Sequence, residues 1–298
     1  MKALLFGLIV MFLAVAAWWL LPPDPATALR AEHAPLARVE RTPAPDLGPG
    51  IERWRMLDER GFEARGLWRP ASRPKPSTWT VVMLGGLETG DRAALLVAPQ
   101  AQVNVLAVDW PWSGPRRLDA LGIVRQLPAI RAAVLRSPVP LAMGIESLAR
   151  EHVADSSRIA LLGVSLGVPP TLASLRLAGP PAALVLVHGA ADLELLLRHD
   201  LGSHLEPRWL ARPIAALAFR LIRPLEPAYH FDAAAGIPAL LIEAKDDERL
   251  PRAAIEHLKR GLPHAEVMVL DGPHLRPTRA ELIATITARA MAWLGRVH

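Results

Sequence analysis

A serine lies between two glycines in the segment Gly163-Val164-Ser165-Leu166-Gly167. The segment follows a strand-like apolar run and precedes a helix-like stretch, so it predicts a sharp strand-turn-helix connection. Glycines two positions away on either side allow the backbone to take a strained, closely approached turn. Such a turn lifts the Ser165 hydroxyl above the sheet edge and places the Leu166 N–H at a helix N-terminus, where negative charge is stabilised. Ser165 is therefore the candidate nucleophile, and the alternative is a purely structural turn.

The hydroxyl of Ser165 needs a general base, because serine is a weak nucleophile until a base, itself oriented by a third group, takes its proton. The rest of the chain must position these groups. From Ile51 onward, strand-like and helix-like stretches alternate, a pattern typical of a mostly parallel sheet with helices on both faces. We therefore predict one α/β domain over residues 51–298.

Eight stretches are predicted as strands of this domain. Two of them flank the turn Glu59-Arg60-Gly61 and form an antiparallel hairpin, and the other six are short, apolar and buried. The hairpin strands are Ile51–Leu57 and Phe62–Trp68, and the buried strands are Thr78–Leu84, Val103–Val108, Arg158–Leu162, Ala183–Val187, Ala239–Glu243 and Glu266–Leu270.

An unusually long connection separates the strand that ends at Val187 from the strand that starts at Ala239. It contains the helix-like runs Leu193–His199 and Trp209–Ile222. A compact domain rarely carries so long a connection without a purpose. We predict a small helical cap at about residues 190–236, lying over the carboxyl edge of the sheet and shaping the substrate pocket.

The N-terminus carries an apolar segment, because Lys2 is followed by 19 uncharged, mostly apolar residues, Ala3–Leu21. As a helix this segment would be roughly 28 Å long, close to the hydrocarbon thickness of a bilayer. Residues 1–21 are therefore predicted as a transmembrane anchor, and the position of Lys2 predicts a cytoplasmic N-terminus with the domain on the other side of the cytoplasmic membrane. The alternative is a cleaved signal peptide ending near Ala14-Val15-Ala16, which would export the domain.

The anchor is followed by a proline-rich segment, residues 22–50, which contains seven prolines and shows no apolar periodicity. Segments of this composition are typical of extended chains without a core. We predict a partly disordered spacer that holds the domain away from the membrane.

The composition of the chain argues against several classes of partner and site. The net charge is +5 at pH 7 and no run of five like charges occurs, so the sequence gives no sign of a nucleic-acid partner. No cysteine is present, which excludes disulfides, thiolate catalysis and zinc–thiolate sites. No spacing typical of a metal site or of a phosphate-binding glycine loop is evident, and no cofactor is predicted.

Two further segments carry a family resemblance. The segment Asp155–Gly163, which leads into the serine turn, and the segment Glu59–Pro70 are similar to the corresponding parts of dienelactone-hydrolase and prolyl-oligopeptidase-type enzymes. From about Ile51 to the C-terminus, the sequence resembles the α/β-hydrolase superfamily. The resemblance implies the α/β-hydrolase fold and a serine nucleophile that is followed along the chain by an acid and then by a histidine.

The resemblance also suggests which residues complete the triad. Asp247 follows a predicted strand and precedes Pro251 by four residues, as the acid does in the family, with the adjacent Asp246 as the alternative. His274 lies in Asp271-Gly272-Pro273-His274, between the last predicted strand and the last helix, where the family has its base. Ser165, Asp247 and His274 are therefore the predicted catalytic triad.

The second oxyanion donor is also implied by resemblance. The loop after the Thr78–Leu84 strand reads Gly85-Gly86-Leu87 where the family has His-Gly-x, so the Leu87 N–H is the candidate donor, and it would act together with the Leu166 N–H. The sequence departs from the family a second time at Val168-Pro169-Pro170. Because a residue before proline is disfavoured in helical geometry, we expect the helix after the turn to start late or irregularly.

Two more residues could line a substrate pocket. Trp110 follows the Val103–Val108 strand, and His188 follows the Ala183–Val187 strand at the same edge of the sheet. Packing of Trp110 in the core or cap, and a structural role for His188, are the alternatives.

The combined expectation is a serine hydrolase that cleaves a small-molecule carboxylic ester through an acyl-enzyme intermediate. Thioester, amide and lactone substrates stay open. Three alternatives remain: an acyltransferase with the same triad, a catalytically silent hydrolase fold that serves as a membrane-tethered binding module, and a prolyl-oligopeptidase-type peptidase, against which the absence of room for a propeller domain argues.

Overall fold

The computed structural model describes residues 24–115 and 120–297 of the chain. The predicted anchor at residues 1–21 lies outside these ranges. Within them, no helix is both long enough and apolar enough to cross a membrane.

One sheet of nine strands runs through the described part of the chain. In sequence order the strands are β1 (Leu36–Pro43), β2 (Glu52–Asp58), β3 (Glu63–Arg69), β4 (Thr80–Leu84), β5 (Asn104–Val108), β6 (Ile159–Val164), β7 (Ala183–Val187), β8 (Ala239–Ala244) and β9 (Glu266–Leu270). Across the sheet their order is β1-β2-β3-β5-β4-β6-β7-β8-β9. The first three pairings are antiparallel and the other five are parallel. The prediction of a mostly parallel sheet is confirmed.

Helices connect the strands and cover both faces of the sheet. They are α1 (Pro25–Glu32), α2 (Ala93–Leu96), α3 (Ala120–Arg136), α4 (Val139–Arg150), α5 (Val168–Ser174), α6 (Leu193–His204), α7 (Ala211–Ile222), α8 (Phe231–Ala234), α9 (Arg252–Gly261) and α10 (Ala280–Leu294). Alternate residues of the central strands point to opposite faces: Leu184 and Leu186 pack with α4, α5 and α9, whereas Val185 and Val187 pack with α2 and α10. Burial on both faces explains why the sequence shows these strands as continuous apolar runs.

The predicted strands agree with the observed ones to within two residues at each end. The hairpin, now β2 and β3, lies next to the antiparallel edge strand β1. All of the parallel strands point their carboxyl ends toward the same edge of the sheet, and the loops that follow β4, β6, β8 and β9 carry the predicted triad and oxyanion residues.

The prediction of a spacer over residues 22–50 is wrong for the residues from 24 onward. Asp24 caps α1 by accepting a hydrogen bond from the Thr27 N–H at 2.9 Å, and β1 extends the sheet by pairing with β2. Strand β1 gave no apolar alternation because its outward side chains are held by ion pairs across the strands, including Arg55 with Glu40 at 3.0 Å. The described residues before Ile51 therefore belong to the domain.

The predicted range of the cap, about residues 190–236, contains a helical insertion that includes α6 and α7. Its two ends are joined by the buried carboxylate of Glu226, which accepts hydrogen bonds from the N–H groups of Asp192 at 2.9 Å and Leu193 at 2.7 Å. Leu193 and Leu225 pack on Leu29 of α1. The insertion therefore rests on the first helix of the domain, on the side of α5.

If residues 24–50 belong to the domain, replacing Leu29 with alanine will destabilise it. Leu29 is completely buried, so Leu29→Ala should reduce the free energy of unfolding by about 3 kcal/mol, through lost burial and the cavity left behind. Leu217→Ala is the matched control, because Leu217 lies on α7 with half of its surface exposed and should change stability by no more than about 0.5 kcal/mol. Chemical denaturation measures both, and equal stability of the two variants would mean that α1 is not part of the folded core.

Candidate active site

The turn between β6 and α5 holds Ser165 in a left-handed backbone conformation, with φ of 53°. This region is uncommon for residues other than glycine, and it stores strain that the surroundings must balance. The surroundings here are tightly packed. A Cβ atom at Gly167 would lie 2.3 Å from the Leu84 carbonyl oxygen, and one at Gly163 would lie 2.6 Å from the Thr171 hydroxyl. Gly167 is therefore required by the close approach of the β4 backbone, and Gly163 by the close approach of the Thr171 side chain.

Helix α5 starts immediately after the turn, so the expected late or irregular start is wrong. Residues Ser165–Gly167 form a single 3-10 turn that runs directly into Val168, whose φ of −66° and ψ of −49° are helical although proline follows it. Pro169 and Pro170 occupy the first turn, where backbone N–H groups have no helical partner to lose. Val168, Pro169 and Pro170 are all buried, and this burial stabilises the start of the helix.

A chain of hydrogen bonds joins the three residues of the predicted triad. The Ser165 Oγ lies 2.8 Å from Nε2 of His274, and Nδ1 of His274 lies 2.8 Å from Oδ2 of Asp247. Because a carboxylate can only accept, Nδ1 carries the proton of the neutral ring, and Nε2 is left to accept the proton of the Ser165 hydroxyl. His274 is almost completely buried, so its ring is held in one orientation. The geometry is that of a nucleophile, a base and an orienting acid.

The structure selects Asp247 over Asp246 as the orienting acid. Asp247 also accepts hydrogen bonds from the N–H groups of Arg249 and Leu250, both at 2.9 Å. Burial by itself would raise the pKa of the Asp247 carboxyl, but its hydrogen bonds to His274 and to the two N–H groups outweigh burial and keep the pKa below the usual 3.8. Asp247 is therefore ionised at neutral pH. The side chain of Asp246 is exposed and does not contact His274.

Two residues outside the triad hold the His274 loop. Glu248 accepts the His274 backbone N–H at 2.9 Å and pairs with Arg276 at 3.0 Å. His188 accepts the Leu275 N–H on its Nδ1 at 2.9 Å. The role of Glu248 was missed, since an exposed glutamate beside an acid loop gives no sequence signal.

His188 is buried behind the triad and does not line the cavity at Ser165. Burial, and secondarily the proximity of His274, lower the pKa of His188 to about 4, so its ring is neutral at pH 7. With Nδ1 accepting a hydrogen bond, its proton lies on Nε2, which has no partner among the described residues. His188, Asp247 and His274 could in principle offer three metal ligands, since donor atoms of the three lie within 4.8 Å of one another. Two of those residues, however, are already engaged in the hydrogen bonds of the triad.

The residues of the two predicted oxyanion donors line the cavity that opens on Ser165. Leu87 and Leu166 line the same cavity as Ser165, and the Leu166 N–H belongs to the first turn of a helix, where N–H groups lack helical partners. Trp110 does not line this cavity. Its indole N–H donates instead to the Gly85 carbonyl oxygen at 3.0 Å, which supports the backbone of the Leu87 loop. Trp110 therefore contacts the loop that carries the donor, and it lines a separate cavity of about 430 Å³ that does not include Ser165.

The cavity that opens on Ser165 has a volume of about 870 Å³. It is bounded by the loop after β4, by the loops that carry Arg249 and Leu275, by the sheet, and by α2 and α10. None of the described residues of 190–236 lines it. The expectation that the helical insertion shapes the pocket is therefore wrong, because the insertion packs on α1 and α5, on the opposite face of the sheet from α10.

Comparisons with known proteins identify the fold. No protein-family model and no curated protein sequence matches the chain. An esterase of Pyrococcus furiosus is 18% identical, with a TM-score of 0.56 over 89% of this chain and 99% of that one. An alpha/beta hydrolase of Penicillium sp. sh18 is 16% identical, with a TM-score of 0.53 over 83% of this chain and 98% of that one.

A puromycin-hydrolysing peptidase of Mycobacterium tuberculosis is 18% identical, with a TM-score of 0.58 over 82% of this chain. The match covers 44% of that protein, so the chain spans less than half of the peptidase's length. At these identities the likeness concerns architecture, and the chain has the α/β-hydrolase fold.

The close approach at Gly167 predicts that even a methyl group will disrupt the turn. In Gly167→Ala the new Cβ would collide with the Leu84 carbonyl, and a displacement of about 1 Å at Ser165 should slow its reaction with a fluorophosphonate by about 10²-fold. Gly179→Ala is the control, because its Cβ would meet nothing within 4 Å. Labelling rates and thermal unfolding of both variants test this, and wild-type reactivity in Gly167→Ala would show that the turn is not constrained in this way.

Proposed function

We propose that the chain is a serine hydrolase that cleaves carboxylic esters through an acyl-enzyme intermediate. The observation that carries the proposal is the continuous hydrogen-bond chain from Ser165 through His274 to Asp247, with both links at 2.8 Å. The left-handed backbone at Ser165 and the cavity that opens on its hydroxyl support the same conclusion. Thioesters and amides present the same acyl carbonyl to Ser165. The ester is the proposed substrate, and tests should begin with it.

The reaction follows from the positions of the three side chains. The Ser165 oxygen attacks the acyl carbon while its proton moves to Nε2 of His274. The Leu87 and Leu166 N–H groups donate to the oxygen that becomes negative. The bond to the leaving alcohol then breaks, and His274 returns the proton to that alcohol. A water molecule, deprotonated by His274, releases the acid and regenerates the Ser165 hydroxyl. Throughout, Asp247 keeps the proton of the neutral ring on Nδ1 and stabilises the charged ring.

The membrane location is a proposal from the sequence. Residues 3–21 have the length and composition of a transmembrane helix, and the cleaved alternative would export the domain. Because α1 begins at Pro25, an uncleaved anchor would hold the domain directly at the extracytoplasmic lipid surface, without a long spacer. Extraction of membranes with alkaline carbonate separates the alternatives: an anchored chain stays in the pellet, and a chain released by cleavage does not.

Labelling with a fluorophosphonate probe tests the catalytic assignment. The full chain should label, Ser165→Ala should not, and His274→Ala and Asp247→Asn should react at least about 10³-fold more slowly, because base and orienting acid act as a unit with the nucleophile. Asp246→Asn is the matched control, since the neighbouring carboxylate does not contact His274 and its loss should leave the rate within about twofold.

Unlabelled but folded wild-type protein would favour the silent binding module. Labelling without ester hydrolysis, but with transfer of the acyl group to an added alcohol or amine, would favour the acyltransferase. Equal rates for Asp246→Asn and Asp247→Asn would contradict the assignment of the acid.

A further inference from the structure

The cavity at Ser165 extends into the interior on one face of the sheet. Its sheet wall is formed by strand residues that point toward α10, among them Val81 and Met83 of β4, Val105 of β5 and Leu162 of β6. The nucleophile lies at the carboxyl end of β6, so the cavity starts at the reacting atom and runs back along the strands toward their amino ends.

Helix α10 forms the opposite wall. Ile283, Ile286, Thr287, Ala290 and Met291 line the cavity, and their spacing of three and four residues places them on one face of the helix. Four of these five side chains are hydrocarbon or thioether. This wall is therefore mostly apolar, and two of its side chains, Thr287 and Ala290, are small.

Protein interiors are close-packed and contain few voids larger than a water molecule. A cavity of about 870 Å³ is far larger than a packing defect, and it falls within the roughly 300–1,000 Å³ that small-molecule sites occupy. Its opening onto Ser165 connects it to the chemistry.

The length of the cavity sets the length of its occupant. Val81 of β4 and Gly85, which directly follows this strand, both line the cavity and are four residues apart, which corresponds to about 13 Å at about 3.3 Å per residue. Carbon–carbon bonds of about 1.5 Å at about 111° advance an extended hydrocarbon by about 1.25 Å per atom. A chain of about ten carbons therefore reaches from the mouth to the level of Val81.

The mouth differs from the interior. Arg249, Arg276 and Glu88 line the cavity and are exposed, so polar groups surround the entrance while apolar groups surround the depth. An occupant with one polar end and one hydrocarbon end is therefore held with its polar end at Ser165. The charged residues of the rim keep water around the polar end, and the apolar walls keep water away from the hydrocarbon end.

We propose that this cavity binds the acyl chain of the substrate, so that the protein prefers esters of medium-chain fatty acids of about eight to ten carbons. The placement of the acyl carbonyl at Ser165 rests on the proposed function, whereas the binding of the hydrocarbon chain does not. The acyl carbonyl lies at Ser165, the hydrocarbon lies between the sheet and α10, and the alcohol leaves through the charged mouth. The helical insertion takes no part in selecting the acyl chain.

Hydrolysis of p-nitrophenyl esters from two to fourteen carbons by the full chain tests the proposal. Each buried methylene group should raise kcat/KM by about threefold to fourfold until the cavity is filled, which gives a maximum near eight to ten carbons and no gain beyond. Ala290→Phe places a ring in the cavity and should lower the ratio of decanoyl to acetyl kcat/KM by at least about tenfold. Ala288→Phe, on the exposed side of α10, is the matched control and should leave the ratio unchanged.

Direct binding of decanoate by Ser165→Ala, measured by calorimetry, separates this inference from the proposed function. Saturable binding that is lost in Ser165→Ala/Ala290→Phe but kept in Ser165→Ala/Ala288→Phe supports the acyl site even if no ester is hydrolysed. Ester hydrolysis with a flat dependence on chain length would overturn the acyl site and leave the hydrolase assignment standing. Absence of saturable decanoate binding would also overturn it, whether or not Ala290→Phe folds.

Discussion

The left-handed backbone at Ser165 is the constraint on which the rest of the site depends. A strained residue persists only when its surroundings leave it no alternative, and here Gly167 fits against the Leu84 carbonyl with no room for a methyl group. The same contact fixes the start of α5, and it aims the Ser165 hydroxyl at His274. The turn thus links the packing of two central parallel strands to the direction of a single oxygen atom.

The parallel strands explain how residues distant in sequence meet at that oxygen. Strands β6, β7, β8 and β9 are consecutive neighbours in the sheet, and the loops at their carboxyl ends carry Ser165, His188, Asp247 and His274. The sheet thus brings these residues to one edge, where the hydrogen-bond chain runs from Ser165 through His274 to Asp247. Burial keeps the rings of His274 and His188 fixed. The ionised carboxylate of Asp247 accepts a hydrogen bond from Nδ1 of His274 and so fixes the orientation of that ring.

Strands could be predicted from the sequence where they are buried, and less well where they are exposed. Central strands buried on both faces, such as β7, are visible as apolar runs, whereas the exposed edge strand β1 is held by cross-strand ion pairs that leave no apolar period. The triad, with Asp247 as its acid, could be predicted because a resemblance supplied the order of its members, and the hydrogen bond from His274 to Asp247 distinguishes that residue from the alternative Asp246. The cavity could not be predicted, because Ile286 and Ala290 look the same in a sequence whether they face a core or a ligand.

The central claim is that Ser165 forms a covalent acyl intermediate, and rapid-quench mass spectrometry of the protein with p-nitrophenyl octanoate tests it most directly. The account predicts a transient mass increase equal to one octanoyl group, located by digestion on the peptide that contains Ser165, and absent in Ser165→Ala. When water is partly replaced by a solvent that is a poor acyl acceptor, we expect the octanoyl group to be removed from Ser165 more slowly and the acylated protein to accumulate. Hydrolysis that proceeds in Ser165→Ala, or an adduct on any other residue, would contradict the account.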